Sequence, residues 1–121
     1  MKNNEDLNKI ALTWFAAFNN HNLEMLLSLY HDEAEHYSPK LKVREPNTNG
    51  LIKGKDHLRK WWQDSFDRLP SLRYHIIRLT PFEDRVFMEY MRHVENEAEL
   101  RVGEFIEVKN GLIVSSRVYH S

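Results

Sequence analysis

Ala34-Glu35-His36-Tyr37-Ser38-Pro39 is the stretch on which the fold turns. In a strand, positions 34, 36 and 38 share one face. Pro39 has no N–H to give to a ladder, so the pattern predicts a short, edge-type strand that stops at Ser38. Residues 40 to 53 carry Pro46, Asn47, Asn49 and Gly50, all turn-compatible, and are expected to form a long loop. After Gly54, Leu58, Trp61, Trp62, Phe66 and Leu69 recur at helical spacing until Pro70 ends the run. Strand, loop and returning helix form a unit that walls off a pocket and holds a polar side chain inside it.

Upstream, Leu7, Ile10, Ala11, Trp14, Phe15 and Phe18 mark one face of a helix. Asn4 is placed to cap its start, and Glu5 and Asp6 suit the positive end of its dipole. Asn19-Asn20-His21-Asn22 interrupts the pattern with turn formers. Leu23, Leu26, Leu27 and Tyr30 then mark a second, shorter helix, expected to pack on the first.

Downstream, from Leu72, the pattern turns to β. Leu72, Tyr74 and Ile76 alternate with Arg73, His75 and Ile77, and Pro81-Phe82-Glu83-Asp84 reads as a turn. Arg85 to Glu95 is a second long strand, Asn96-Glu97 a tight connection, and Ala98 to Val108 a third. Asn110-Gly111 is a strong hairpin signal because both residues tolerate positive φ. Leu112 to Tyr119 is the last strand. Helices followed by an antiparallel meander predict an α+β fold, with helices on one face of a curved sheet. No repeat, low-complexity segment or linker divides the chain, so residues 1–121 read as one domain.

The 121 residues are 41% apolar and 12% aromatic, enough for a core without staples. Cys is absent, which removes disulfides and thiol nucleophiles. No apolar run reaches the length of a membrane span, and Met-Lys-Asn-Asn-Glu-Asp has no signal-peptide core. The expectation is a soluble cytoplasmic protein. Lys and Arg total 17 against 18 Asp and Glu, so no global charge draws the chain to nucleic acid or membrane. His21, His31, His36, His57, His75, His93 and His120 form no helical His-x-x-x-His pair, and no metal site is expected. Gly-rich phosphate loops and Gly-x-Ser-x-Gly elbows are absent too.

Four local pieces, in this order and spacing, carry a resemblance: Asn19-Asn20-His21-Asn22-Leu23, Leu29-Tyr30-His31-Asp32-Glu33-Ala34, Gly54-Lys55-Asp56-His57-Leu58, and residues 105–113, Phe-Ile-Glu-Val-Lys-Asn-Gly-Leu-Ile. Together they resemble the SnoaL-like branch of the nuclear transport factor 2-like superfamily, related to the ketosteroid isomerases. The resemblance covers nearly the whole chain. It implies a cystatin-like α+β barrel: a cone-shaped, curved antiparallel sheet packed against three helices of the N-terminal half. It also implies a cavity between the two, no cofactor, and commonly a homodimer through the outer sheet face. Ketosteroid isomerases pair an Asp base with an oxyanion hole of a Tyr and a protonated Asp. Matched by local motif, the base position falls on Ser38, the Tyr position on Trp14 and the acid position on Glu104. Only Glu104 keeps its chemistry.

Two titratable groups are then the catalytic candidates. His36 shares the strand face of Ser38, and imidazole titrates in the range of a general base. Glu104 sits among Leu100, Val102, Ile106 and Val108, where desolvation would raise its pKa and make it a proton donor. The plainer reading has Glu104 satisfying a core partner, such as Trp14 Nε1 or a Tyr hydroxyl. Trp14, Phe18, Tyr30, Ser38 and Trp62 are the candidate ligand-binding residues, although an aromatic stripe at helical spacing also builds a core. Trp61 and Trp62 point about 100° apart on a helix, so one is expected on the sheet and the other at a mouth or dimer contact. Lys40, Lys42, Arg44, Lys53, Lys55, Arg59 and Lys60 crowd the loop and next helix, as anion steering or as an ordinary solvated face.

Three functional classes follow. One is a cofactor-free enzyme of acid–base chemistry (isomerase, cyclase, dehydratase or hydrolase) on a small, largely apolar ligand. The second is a small-molecule-binding protein without chemistry. The third is a dimeric interaction module whose own rings fill the cone.

Overall fold

Asn110 and Gly111 take φ of 53° and 80°, and between them β5 (Leu100–Lys109) reverses into β6 (Leu112–Tyr119). Two left-handed residues match the twist of the flanking strands, which sets Lys109 opposite Leu112. One hairpin earlier, Glu83 at φ 56° turns β3 (Arg73–Phe82) into β4 (Arg85–His93). Pro81 and Phe82 still belong to β3, so that turn is confined to Glu83 and Asp84. A proline is tolerated there because β3 is a sheet edge. The β4–β5 connection is longer than Asn96-Glu97, running from Val94 to Glu99.

The computed structural model describes residues 2–120, with side chains from Asn4 onward. Four α-helices are present among them, against the three expected: α1 (Lys2–Asn19), α2 (Leu23–Ser28), α3 (Pro39–Arg44) and α4 (Lys55–Arg68). Asn4 lies inside α1, not at its cap. Asn22 caps α2, its side-chain oxygen accepting the Met25 N–H at 3.1 Å. Tyr30 belongs to the next strand instead of α2.

The six strands run in the order β2-β1-β6-β5-β4-β3, with β1 at Tyr30–Tyr37 and β2 at Leu51–Lys53. The fold is α+β, as expected, but the curved sheet is mixed and does not close. Its one parallel pairing, β1 with β6, sets His36 beside Ser116, and on its other side His36 meets Ile52 of β2. The predicted edge strand is therefore an interior one.

Pro39 marks a helix start. The Ser38 side chain caps α3, accepting the Lys40 N–H at 3.2 Å, and Pro39 occupies the first turn, where a missing N–H goes unnoticed. What the sequence pattern presents as a loop from 40 to 53 is this helix, a 3₁₀ turn at Pro46–Thr48, and β2. Leu41, wholly buried, ties it to the core.

Alternation along the strands sorts the remaining side chains. Val86, Met88, Tyr90 and Arg92 of β4 turn inward, as do Val102, Glu104, Ile106 and Val108 of β5. Against that face lie Leu7, Ala11, Trp14, Phe15 and Phe18 of α1 and Leu58, Trp61, Trp62 and Phe66 of α4. Trp14 centres an aromatic cluster, with ring centroids 4.4 Å from Phe18, 5.8 Å from Tyr74 and 5.9 Å from Tyr90.

Candidate functional site

Packing of the helices on the sheet leaves a cavity of about 410 Å³, walled by α3, α4 and the inner faces of β1, β4 and β5. Its most buried titratable group is Glu104, 1% exposed. The Tyr90 hydroxyl donates to Glu104 Oε1 at 2.7 Å, while Oε2 is buried and has no hydrogen-bond partner. Burial raises the Glu104 pKa to about 8, against the pull of the Tyr90 hydrogen bond. At neutral pH the carboxyl therefore keeps its proton. With Oε1 accepting from Tyr90, that proton sits on Oε2, a donor with no acceptor in the protein. Tyr30, Tyr74 and Tyr90 are all held above the ordinary tyrosine range, by burial first and by Glu104 second.

His36 reaches the same cavity at the end of a buried chain. Trp14 Nε1 donates to the Tyr30 hydroxyl at 3.1 Å, and Tyr30 donates to Ser116 Oγ at 3.0 Å. Ser116 Oγ lies 2.7 Å from His36 Nδ1. An indole N–H only donates, so the Tyr30 hydroxyl accepts from Trp14 and gives its own hydrogen to Ser116. Ser116 Oγ shares one hydrogen with His36 Nδ1. The tautomer that continues this run, and the one we assign, has Nδ1 accepting and the proton on Nε2. Burial pushes the His36 pKa down to about 3, so the ring is neutral across the physiological range. That corrects the expectation of a base titrating near pH 7. In the assigned tautomer His36 offers an N–H at Nε2.

Of the candidate residues, His36, Glu104, Phe18, Ser38 and Trp62 line this one cavity. Trp14 and Tyr30 do not. They are 1% and 0% exposed and stand behind the wall as core and as links of the chain to His36. Ser38 lines the wall but spends its oxygen on capping α3. Trp61 and Trp62 are both buried and both line the cavity, in place of the expected division. Trp62 packs its ring 5.3 Å from His36 and 5.0 Å from Tyr30.

Sequence reasoning missed Tyr90, Ser116 and Arg92. Tyr90 and Arg92 were findable, because strict alternation from Val86 carries both to the inner face. Ser116 had no such signal. Glu104 bonds a Tyr hydroxyl, and the Trp14 indole bonds Tyr30 instead. Among the described residues, no three His, Asp or Glu side chains cluster so as to hold a metal ion. No helix among them is long and apolar enough to cross a membrane.

A family model described as a SnoaL-like domain matches residues 11–116. This chain belongs to the SnoaL-like family. Its fold is also that of nuclear transport factor 2-like proteins of known structure. No curated protein matches the SnoaL-like chain. Among solved structures it is similar to a SnoaL-like protein from Burkholderia thailandensis, at 21% identity and a TM-score of 0.84 over 97% of this chain and 96% of that one. TerC, co-crystallised with polyporic acid, aligns at 18% identity and a TM-score of 0.83 over 96% and 92%. A protein with a ketosteroid isomerase-like fold from Catenulispora acidiphila, in complex with trimethylamine, gives 17% and 0.74 over 93% and 85%. At these identities the likeness speaks to the fold.

Proposed function

We propose that this SnoaL-like protein binds a small, largely apolar molecule bearing an acceptor oxygen, and that Glu104 serves it as a proton donor in cofactor-independent acid–base chemistry. One observation carries the reading: Glu104 Oε2 is buried at the cavity wall, without a partner, on a carboxyl that keeps its proton at neutral pH. A buried donor left open is costly unless something accepts from it. His36 Nε2–H is a second neutral donor on the same wall. Two neutral donors on one buried wall stabilise charge that develops on a bound oxygen. Isomerisation, cyclisation, dehydration and hydrolysis all pass through such an oxygen. That TerC was co-crystallised with polyporic acid supports a small-molecule ligand in this fold.

The test uses 2-tetralone in D₂O. Loss of its α-hydrogens followed by proton NMR is expected to run faster with protein than in buffer, solvent base removing the proton while the donors hold the enolate oxygen. Glu104→Gln should abolish the gain without unfolding the chain. Equal rates with and without protein count against an enzyme.

A second reading, a binding protein without chemistry, is favoured by one feature: burial holds the His36 pKa down at about 3, far below that of an effective base at neutral pH. Under it, 2-tetralone binds, Glu104→Gln weakens the binding, and no exchange is seen. For the homodimer, support comes from the outer sheet face, where Phe82, Phe105 and Tyr119 stand 65%, 39% and 48% exposed.

A further inference from the structure

At the mouth of the cavity the lining changes from aromatic to cationic. Arg92 lies on the inner face of β4, its side chain only 9% exposed, and pairs with Glu97 at 2.9 Å. Arg44 and Arg68 share Asp64, at 3.6 and 2.8 Å. Lys40, in the first turn of α3, has no ion pair among the described residues. Burial and the nearby charges of Arg92 and Arg68 all push its ammonium pKa down, against Glu97. Four cations thus face two carboxylates around one concave mouth, an excess of positive charge in which like charges disfavour one another. Arg92 is buried, while Lys40, Arg44 and Arg68 are exposed at the rim. An anion set between Lys40 and Arg92 would offset part of that excess.

We infer that the ligand carries a carboxylate or an equivalent anion, which binds at the mouth between Lys40 and Arg92 while its uncharged body reaches inward along Trp61 and Trp62. This rests on reading the cavity as a ligand site. Spacing defines the class further. Arg92 and Glu104 stand at different levels of the same inner face, Glu104 opposite Met88, which is four residues from Arg92 along the strand. The ligand is therefore an amphipathic acid with a second oxygen at the end away from its anion.

The probes are 6-hydroxy-2-naphthoate and its neutral counterpart 6-hydroxy-2-naphthamide, titrated calorimetrically into the full chain at low and high salt. The acid should bind at least about tenfold more tightly than the amide, as a charge-assisted contact implies, and salt should erode that preference. Lys40→Gln should remove most of the preference without weakening the amide, and Lys40→Arg should restore it. If acid and amide bind alike, or if Lys40→Gln leaves their ratio unchanged, the anion site is wrong while the cavity reading stands. If neither binds, both fall.

Discussion

Tyr90 and Glu104 lie on adjacent strands, two residues off register: Tyr90 pairs with Val102 and Met88 with Glu104. The diagonal lets the phenol lie across the carboxyl and reach one oxygen only, at 2.7 Å. Removing that hydroxyl separates the two influences on Glu104. In Tyr90→Phe, the hydrogen bond that lowers its pKa is gone and burial remains, so the midpoint should rise above about 8. Carbon-13 NMR of labelled Glu side chains reads this directly. A downward shift would mean that Tyr90 is not the group restraining it. Stability should fall by about 1–2 kcal/mol in urea unfolding, for a lost buried hydrogen bond.

Glu104 and His36 should shape the pH profile of stability in opposite senses. The folded pKa of Glu104 is raised from 4.5 to about 8, so its contribution is full below pH 4.5 and is lost as pH rises toward 8. For His36, lowered from 6.5 to about 3, the contribution is full above pH 6.5 and is lost as pH falls toward 3. Between pH 4.5 and 6.5 the two slopes offset. Relative to Glu104→Gln, wild type should lose about 2 kcal/mol from pH 6.5 to 8. Relative to His36→Asn, it should lose about 2 kcal/mol from pH 4.5 to 3. Unfolding free energies by circular dichroism at half-unit steps check both, and parallel curves would refute the assignment.

Ser116 carries the tautomer. Nitrogen-15 spectra of the wild type should show His36 protonated on Nε2 alone. In Ser116→Ala, Nδ1 loses its donor and the Nδ1–H form should appear. The change should also cost about 1–3 kcal/mol, because the Tyr30 hydroxyl hydrogen loses its acceptor and His36 Nδ1 its partner. An unchanged nitrogen pattern would show that the chain from Trp14 does not orient the ring.

Phe105 tests the expected dimer. Its ring packs 4.8 Å from Phe87 on the outer sheet face, and Gly103 beside them leaves room, since a Cβ there would come within 2.7 Å of the Phe87 ring. Phe105→Asp should weaken self-association by about 2–4 kcal/mol, as for a central aromatic anchor. Sedimentation velocity would then show monomer where wild type shows dimer. A wild type that sediments as a monomer rules this out.

The meander was legible because its signals are local: period-two runs closed by Asn110-Gly111. Glu104 was legible for the same reason, as a lone acid in an apolar alternation. Arg92 obeys that rule equally, but a charge at a strand end reads as surface until the chain is folded. The place of β1 was not legible, since its partner Ser116 stands eighty residues on and the nearest cue, Pro39, resembles a strand terminator. Ser38-Pro39 also fits a helix cap followed by a first-turn proline. Which meaning applies is decided by Leu41 finding the core, a tertiary matter. The tautomer of His36 was not legible, because it depends on partners that no spacing reveals.

The parallel seam between β1 and β6 bears on how the molecule comes into being. His36 and Ser116 are joined across 80 positions of the chain, so closing this contact carries a large loop entropy, and topologies of that kind fold slowly. On the ribosome the aromatic helices and His36 emerge long before the strand that orients them. Until β6 arrives, that part of the chain has apolar surface and an open strand edge exposed together, the combination that invites aggregation. Strand β6 is thus the one that both joins β1 to the rest of the sheet and gives His36 its hydrogen-bond partner.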